Sequence, residues 1–91
     1  MSAIVKLPTQ LRAGAGGEGA VEVDGSTVGE ALEALYTAYP ELRDRLSDED
    51  GTLRRFVNVY VDGEDIRFGE LLETPIVDGA ELQVVPAVAG G

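Results

Sequence analysis

The sequence closes on Gly90 and Gly91, and the carboxylate of Gly91, read as a free terminus, is its most distinctive reactive group. An extended Gly-Gly segment carries no Cβ, so it threads a channel that any other residue pair would block. The side chains offer little competition. The 91 residues include no Cys and no His, so the usual nucleophiles and general bases are missing. The residues leading to the glycines fit the same use. Pro86 has no N–H to donate and ends sheet pairing. Ala87, Val88 and Ala89 are small and uncharged, where a merely solubilising tail would carry Ser, Glu or Lys. This composition predicts a folded domain over residues 1–86 and a flexible tail, 87–91, shaped for a narrow and partly apolar channel.

Other apparent motifs fail on context. Gly14-Ala15-Gly16-Gly17-Glu18-Gly19 matches G-x-G-x-x-G, but it lies between two predicted strands, with no helix opening at it to hold a pyrophosphate. It is read as a wide, flexible hairpin turn. Asp48, Asp50 and Gly51 resemble part of a calcium loop. Counting back from Gly51 puts Leu46 and Val57 where oxygen donors are required, so the loop is excluded. The absence of Cys excludes disulfides and thiolate metal sites. The net charge of −10, from 17 acidic and 7 basic residues, argues against nucleic acid, which needs a basic face. It suits solubility and steering toward a basic patch on a partner protein. Lys6 is the single lysine and would be the acceptor if copies were joined through lysine. There is no apolar run of membrane-spanning length and no basic-then-apolar opening segment, which predicts no membrane partner and a cytoplasmic protein.

The elements that must position the tail are legible in the spacing. Ala3 to Pro8 reads as a first strand and Glu18 to Asp24 as a second, with acid and apolar residues alternating. Thr27-Val28-Gly29-Glu30 matches a capping box. Val28, Ala31, Leu32, Leu35 and Tyr39 then fall on one helical stripe, which Pro40 terminates. Leu42 and Leu46 mark a short extra turn. Arg55 to Asp62 is the strongest strand, Asp65 to Phe68 a short one, Leu71-Leu72 a turn or 3₁₀ segment, and Glu81 to Pro86 the last strand. A hairpin, one main helix and further strands indicate an α+β, β-grasp (ubiquitin-like) domain: a mixed sheet of four to five strands with the helix across one face. In that topology the last strand runs parallel beside the first at the sheet centre, fixing the tail at its root.

Period-two alternation places Val57, Val59 and Val61 toward the helix and Phe56, Asn58 and Tyr60 on the opposite face. Val85 falls on that second face too. With a single helix layer the second face meets solvent, so Phe56, Tyr60 and Val85 form an apolar patch of the kind that marks partner surfaces. Together with Pro86, Ala87, Val88, Ala89 and Gly90 they are the candidate partner-binding residues.

Two segments, Arg55-Phe-Val-Asn-Val-Tyr-Val-Asp-Gly-Glu-Asp-Ile-Arg-Phe68 and Asp78-Gly-Ala-Glu-Leu-Gln-Val-Val-Pro-Ala-Val-Ala-Gly-Gly91, carry a resemblance. The chain resembles the ubiquitin-like sulfur-carrier proteins of the ThiS/MoaD group, most closely the CysO-type carriers of cysteine biosynthesis. The layout agrees along the whole chain, and the motif-level match covers about residues 55–91. The resemblance implies a protein co-substrate and not an enzyme. A carboxylate is a poor electrophile at neutral pH, so an E1-like activating enzyme would adenylate Gly91 with ATP, and a sulfur donor would convert it to a thiocarboxylate. The carrier itself would bind no cofactor. A cysteine-synthase-like enzyme would use the sulfur on an activated serine, and a metal-dependent peptidase would release the product. The alternatives within this resemblance are sulfur donation to molybdopterin, thiamin or a sulfur-containing natural product, a stable heteromer, and a modifier conjugated to lysines.

Overall fold

A computed structural model describes residues 2–49, 53–54 and 57–86. Its strands are β1 (Ser2–Lys6), β2 (Ala20–Asp24), β3 (Val57–Val61), β4 (Glu64–Asp65) and β5 (Ala80–Pro86), with helices α1 (Val28–Ala38) and α2 (Pro40–Leu46) between β2 and β3. The strands form one sheet in the order β2-β1-β5-β3-β4. β1 and β2 are antiparallel, with Val5 opposite Val21. β5 lies parallel to β1, pairing Val5 with Leu82, and antiparallel to β3, pairing Val59 with Val84. The expected central last strand, parallel to the first, is therefore present.

Alternation decides which side of each strand is dry. Ala3, Val5, Val23, Val57, Val59, Ala80, Leu82 and Val84 are buried toward the helices, and Val61 is half-buried against the same core. α1 supplies Val28, Ala31, Leu32 and Leu35 as predicted, and also Tyr36. Removing such side chains from water contributes about 1.5–3 kcal/mol for each Leu or Val. The cap of α1 forms as its residues dictate: the Glu30 N–H donates to Thr27 Oγ1 at 3.2 Å. The returning bond reaches one residue further than a standard capping box, with the Ser26 N–H donating to Glu30 Oε1 at 2.8 Å.

The helical region differs from expectation in extent. Pro40 ends α1 and also opens α2, a full seven-residue helix where only a short turn was expected. Proline suits a first helical turn, whose N–H groups have no intrahelical partner. Tyr39, placed on the helical stripe, is the half-buried junction residue, and its N–H donates to the Leu35 carbonyl at 2.8 Å. Leu42 and Leu46 on α2 are fully buried. Tyr36, in the last turn of α1, ties that helix to the far end of α2: its hydroxyl and Ser47 Oγ lie 2.8 Å apart, both buried. The Arg43 guanidinium sits 5.0 Å from the Tyr36 ring centroid and donates to both Glu33 carboxylate oxygens at 3.1 and 3.3 Å.

Two loops are also corrected. The glycine-rich segment is not simply an open turn: Thr9–Ala15 is a 3₁₀ helix, with Leu11, Gly14 and Ala15 buried. Glycine serves close approach there, since a Cβ on Gly14 would come 2.9 Å from Leu42 Cδ2 in the core. The expected strand Asp65–Phe68 is only Glu64–Asp65. Ile66–Phe68 turns into a 3₁₀ segment capped by Asp65. Leu71–Glu73 is 3₁₀, as expected.

Candidate functional site

β5 carries the chain out of the sheet. Residues 80–83 pair with β1 and residues 82–86 with β3, so both edges are held at Leu82 and Gln83. Near its end only the β3 register continues, to Asn58 opposite Val85 and Val57 opposite Pro86. The residues following Pro86 thus leave from a strand held by ladders on both edges. Pro86 is the last paired residue, in keeping with its missing donor.

The sheet face away from the helices is assembled from the alternate residues of the same strands. Tyr60 pairs with Gln83 and Asn58 with Val85 across β3 and β5. Lys6 pairs with Gln83 and Ile4 with Glu81 across β1 and β5. Ile4 and Val85 are exposed, at 38% and 36%, and Tyr60 and Asn58 are half-buried. The predicted Tyr60 and Val85 therefore do share the open face, beside the root of the tail. Phe56, Ala87, Val88, Ala89, Gly90 and Gly91 lie outside the described residues. Sequence reasoning put Gln83 beside Val85 on this face, as observed, and did not place Ile4 there. The alternation within Ala3–Lys6 carries the signal for Ile4.

A hollow of about 380 Å³ opens beside the end of β5, lined by Lys6, Pro8, Gln10, Arg12, Gln83 and Val85, among others. Two of the chain's seven cations meet there. Lys6 Nζ lies 3.7 Å from Glu81 Oε1, with both side chains about half exposed, a geometry worth little in stability because water screens it. Arg12 is more firmly held, its Nε donating to the Leu7 carbonyl at 3.1 Å. Gly19 makes room for it: a Cβ there would stand 2.9 Å from Arg12 Nε. The polar rim and modest apolar area suit a protein surface better than a buried small-molecule pocket. A larger hollow, about 580 Å³, lies on the helix side between α1, Arg43, Ser47 and Leu72. It is separated from the tail root by the sheet.

Among the described residues nothing in this arrangement activates a side chain for catalysis. The two acids whose titration is shifted are each held by hydrogen bonds to one neighbouring residue. Asp65 is held below the usual carboxylate range by hydrogen bonds from the Arg67 side chain and backbone. Asp78 is held below it by the Ser2 N–H and hydroxyl. Among the described residues no helix is long and apolar enough to cross a membrane.

The ThiS family model matches residues 5–91. The chain belongs to the ThiS family. It is 43% identical over 93 aligned positions to the sulfur carrier protein CysO of Mycobacterium tuberculosis, an alignment that covers 100% of both chains. A chain of the Amycolatopsis orientalis BexX/CysO complex superposes with a TM-score of 0.90 at 44% identity, over 98% of this chain and 99% of that one. The small archaeal modifier protein SAMP1 of Haloferax volcanii superposes with a TM-score of 0.86 at 37% identity, covering 100% of each. This ThiS-family protein thus has the ubiquitin-like β-grasp fold, and relatives matched over their full length are named sulfur carrier proteins.

Proposed function

We propose that this protein is a sulfur carrier loaded at the Gly91 carboxylate and serving cysteine biosynthesis. The observation that carries the reading is the full-length 43% identity to a sulfur carrier protein, running across the whole of both chains. The central position of β5 supports it, because the strand that feeds the tail is braced on both sides.

In the proposed reaction an ATP-dependent activating enzyme brings the Gly91 carboxylate to the α-phosphorus of ATP. A carboxylate oxygen bonds to phosphorus and pyrophosphate leaves, giving an acyl adenylate. Sulfide from a donor then attacks the acyl carbon. The C–S bond forms, the C–O bond to AMP breaks, and a thiocarboxylate remains. That soft, ionised sulfur replaces the activating group on Cβ of a serine held by a cysteine-synthase-like enzyme, giving a thioester; the acyl group passes from sulfur to the free amine, and a metal-dependent peptidase hydrolyses that amide with water, freeing cysteine and restoring the Gly91 carboxylate. All catalytic groups come from the partners, in keeping with a chain that has no Cys and no His. ATP binds the activating enzyme, and the carrier needs no cofactor of its own.

Intact mass after incubation with ATP, sulfide and the cognate activating enzyme tests the reading. The expected result is exchange of one oxygen for sulfur. It should be lost when Gly91 is deleted or the chain is extended past it, with the circular dichroism spectrum unchanged. Loading that persists in both variants would overturn the assignment to Gly91.

A second reading, conjugation to protein lysines, draws on the similarity to SAMP1. The same acyl adenylate would form an amide with an ε-amine and expel AMP. Peptides in which residue 91 is joined to a lysine distinguish it from pure sulfur transfer.

A further inference from the structure

One exposed aromatic is unaccounted for by the tail or the open face. Phe68 is 89% exposed and Leu71, three residues on, is 55% exposed. Single surface apolar residues are common, but the backbone beneath this pair is fixed. Asp65 Oδ1 accepts the Arg67 N–H at 2.9 Å and so caps the turn that carries Phe68. The Arg67 Nη2 group donates to Asp65 Oδ2 at 3.1 Å, locking the cap from outside. Gly69 N–H donates to the Ile66 carbonyl at 3.0 Å, and Glu70 N–H to Thr74 Oγ1 at 3.1 Å. Leu71 has φ +55°, a left-handed conformation uncommon for a branched side chain. Leu71 is exposed, while Leu72 packs against the core. Phe68 also walls a hollow of about 220 Å³ shared with Asp62, Glu64 and Asp65.

We propose that Phe68, with Leu71, is an anchor that docks into an apolar socket on the activating enzyme, beside a Lys or Arg that enters the acidic hollow at Glu64. The proposal rests on the carrier reading for the identity of the partner. Three observations select the occupant. Carboxylates around the hollow, on a chain of net charge −10, repel both a second copy and an anionic lipid surface, and complement a basic rim. A standard interface buries about 1,600 Å², which the small side chains from Ala87 to Gly91 cannot supply. Among the described residues the open face adds Ile4, Val85 and the half-buried Tyr60 as apolar contacts, and a rigid, exposed aromatic elsewhere on the domain supplies a further hot spot. The position is compatible with simultaneous engagement: the 3₁₀ turn follows β4, two strands from β5, on the order of 10 Å across the sheet.

Titration of the full-length chain into the cognate activating enzyme without ATP tests this. Phe68→Ala should weaken binding by about tenfold or more, the scale of an interface aromatic, with the melting temperature unchanged because the ring is exposed. Loading at saturating enzyme should stay at the parent rate. Glu64→Lys should weaken binding several-fold and flatten its salt dependence. Unchanged affinity in Phe68→Ala, or no binding by the parent, overturns the docking surface. So does a concentration-dependent dimer in sedimentation that Phe68→Ala abolishes, since it would assign the ring to a second copy. A parent that binds through Phe68 yet never gains sulfur instead strikes the carrier reading and leaves the docking surface standing.

Discussion

The two faces of the sheet are made by the same strands, and they differ in almost every other respect. Toward the helices, Val5, Leu82, Val84 and Val59 are sealed from water, at 0–1% exposure. One residue along each strand, Ile4, Glu81, Gln83 and Val85 reach solvent, and Asn58 and Tyr60 are half-covered. The inner face is specified by volume, because a packed interior feels the loss of even a methylene. The outer face has no such constraint, and its composition is free to encode a partner. Stability and recognition are thus divided between alternate residues of one strand, and β5 carries both on its way to the tail.

Substitutions on neighbouring residues of β5 break this contrast if it is wrong. Leu82→Ala should lose about 2–5 kcal/mol by denaturant unfolding, and Val85→Ala should stay within about 0.5 kcal/mol. Comparable losses would mean that the outer face is also structural.

Tyr36→Phe probes the helix layer behind the inner face and should lose about 1–2 kcal/mol, because Ser47 Oγ is left buried without its partner. The pH dependence has a definite sign. Burial raises the Tyr36 hydroxyl above its ordinary 10.0, and the Ser47 hydrogen bond and the nearby Arg43 only partly oppose this. The folded state therefore holds that proton more tightly than the unfolded chain. Its contribution is complete below pH 10 and is lost as pH rises through the folded value. Alkaline unfolding curves of Tyr36→Phe should lack that part of the decline.

Tyr60→Ala on the outer face should change stability by under about 1 kcal/mol. Its affinity for the activating enzyme, read by titration, should nevertheless fall several-fold. An unaltered affinity would move the contact to other residues of the open face.

Much of the fold was legible because both periods were clean. Alternation placed Val57 and Val59 inside and Tyr60 outside, and the three-to-four spacing from Val28 to Leu35 found α1. The boundaries that were missed depend on tertiary contact. Pro40 is a stop signal locally and a helix start only once Leu42 and Leu46 have a core to enter. The glycines at 14 and 19 looked like freedom and instead admit Leu42 and Arg12 at close range. At the site, Tyr60 and Val85 followed from alternation. Phe68 did not, since a strand reading of Asp65–Phe68 concealed the Asp65 cap that turns the chain. Phe56 and the tail residues lie outside the described residues.

The parallel pairing of β1 with β5 has a mechanical consequence. Ser2 and Pro86 sit toward opposite ends of adjacent central strands. Tension between these two points runs along the strand axes and loads the intervening hydrogen bonds in shear, together and not one after another. A pull applied at Pro86 therefore meets the resistance of the whole ladder at once, so the root of the tail behaves as a stiff handle.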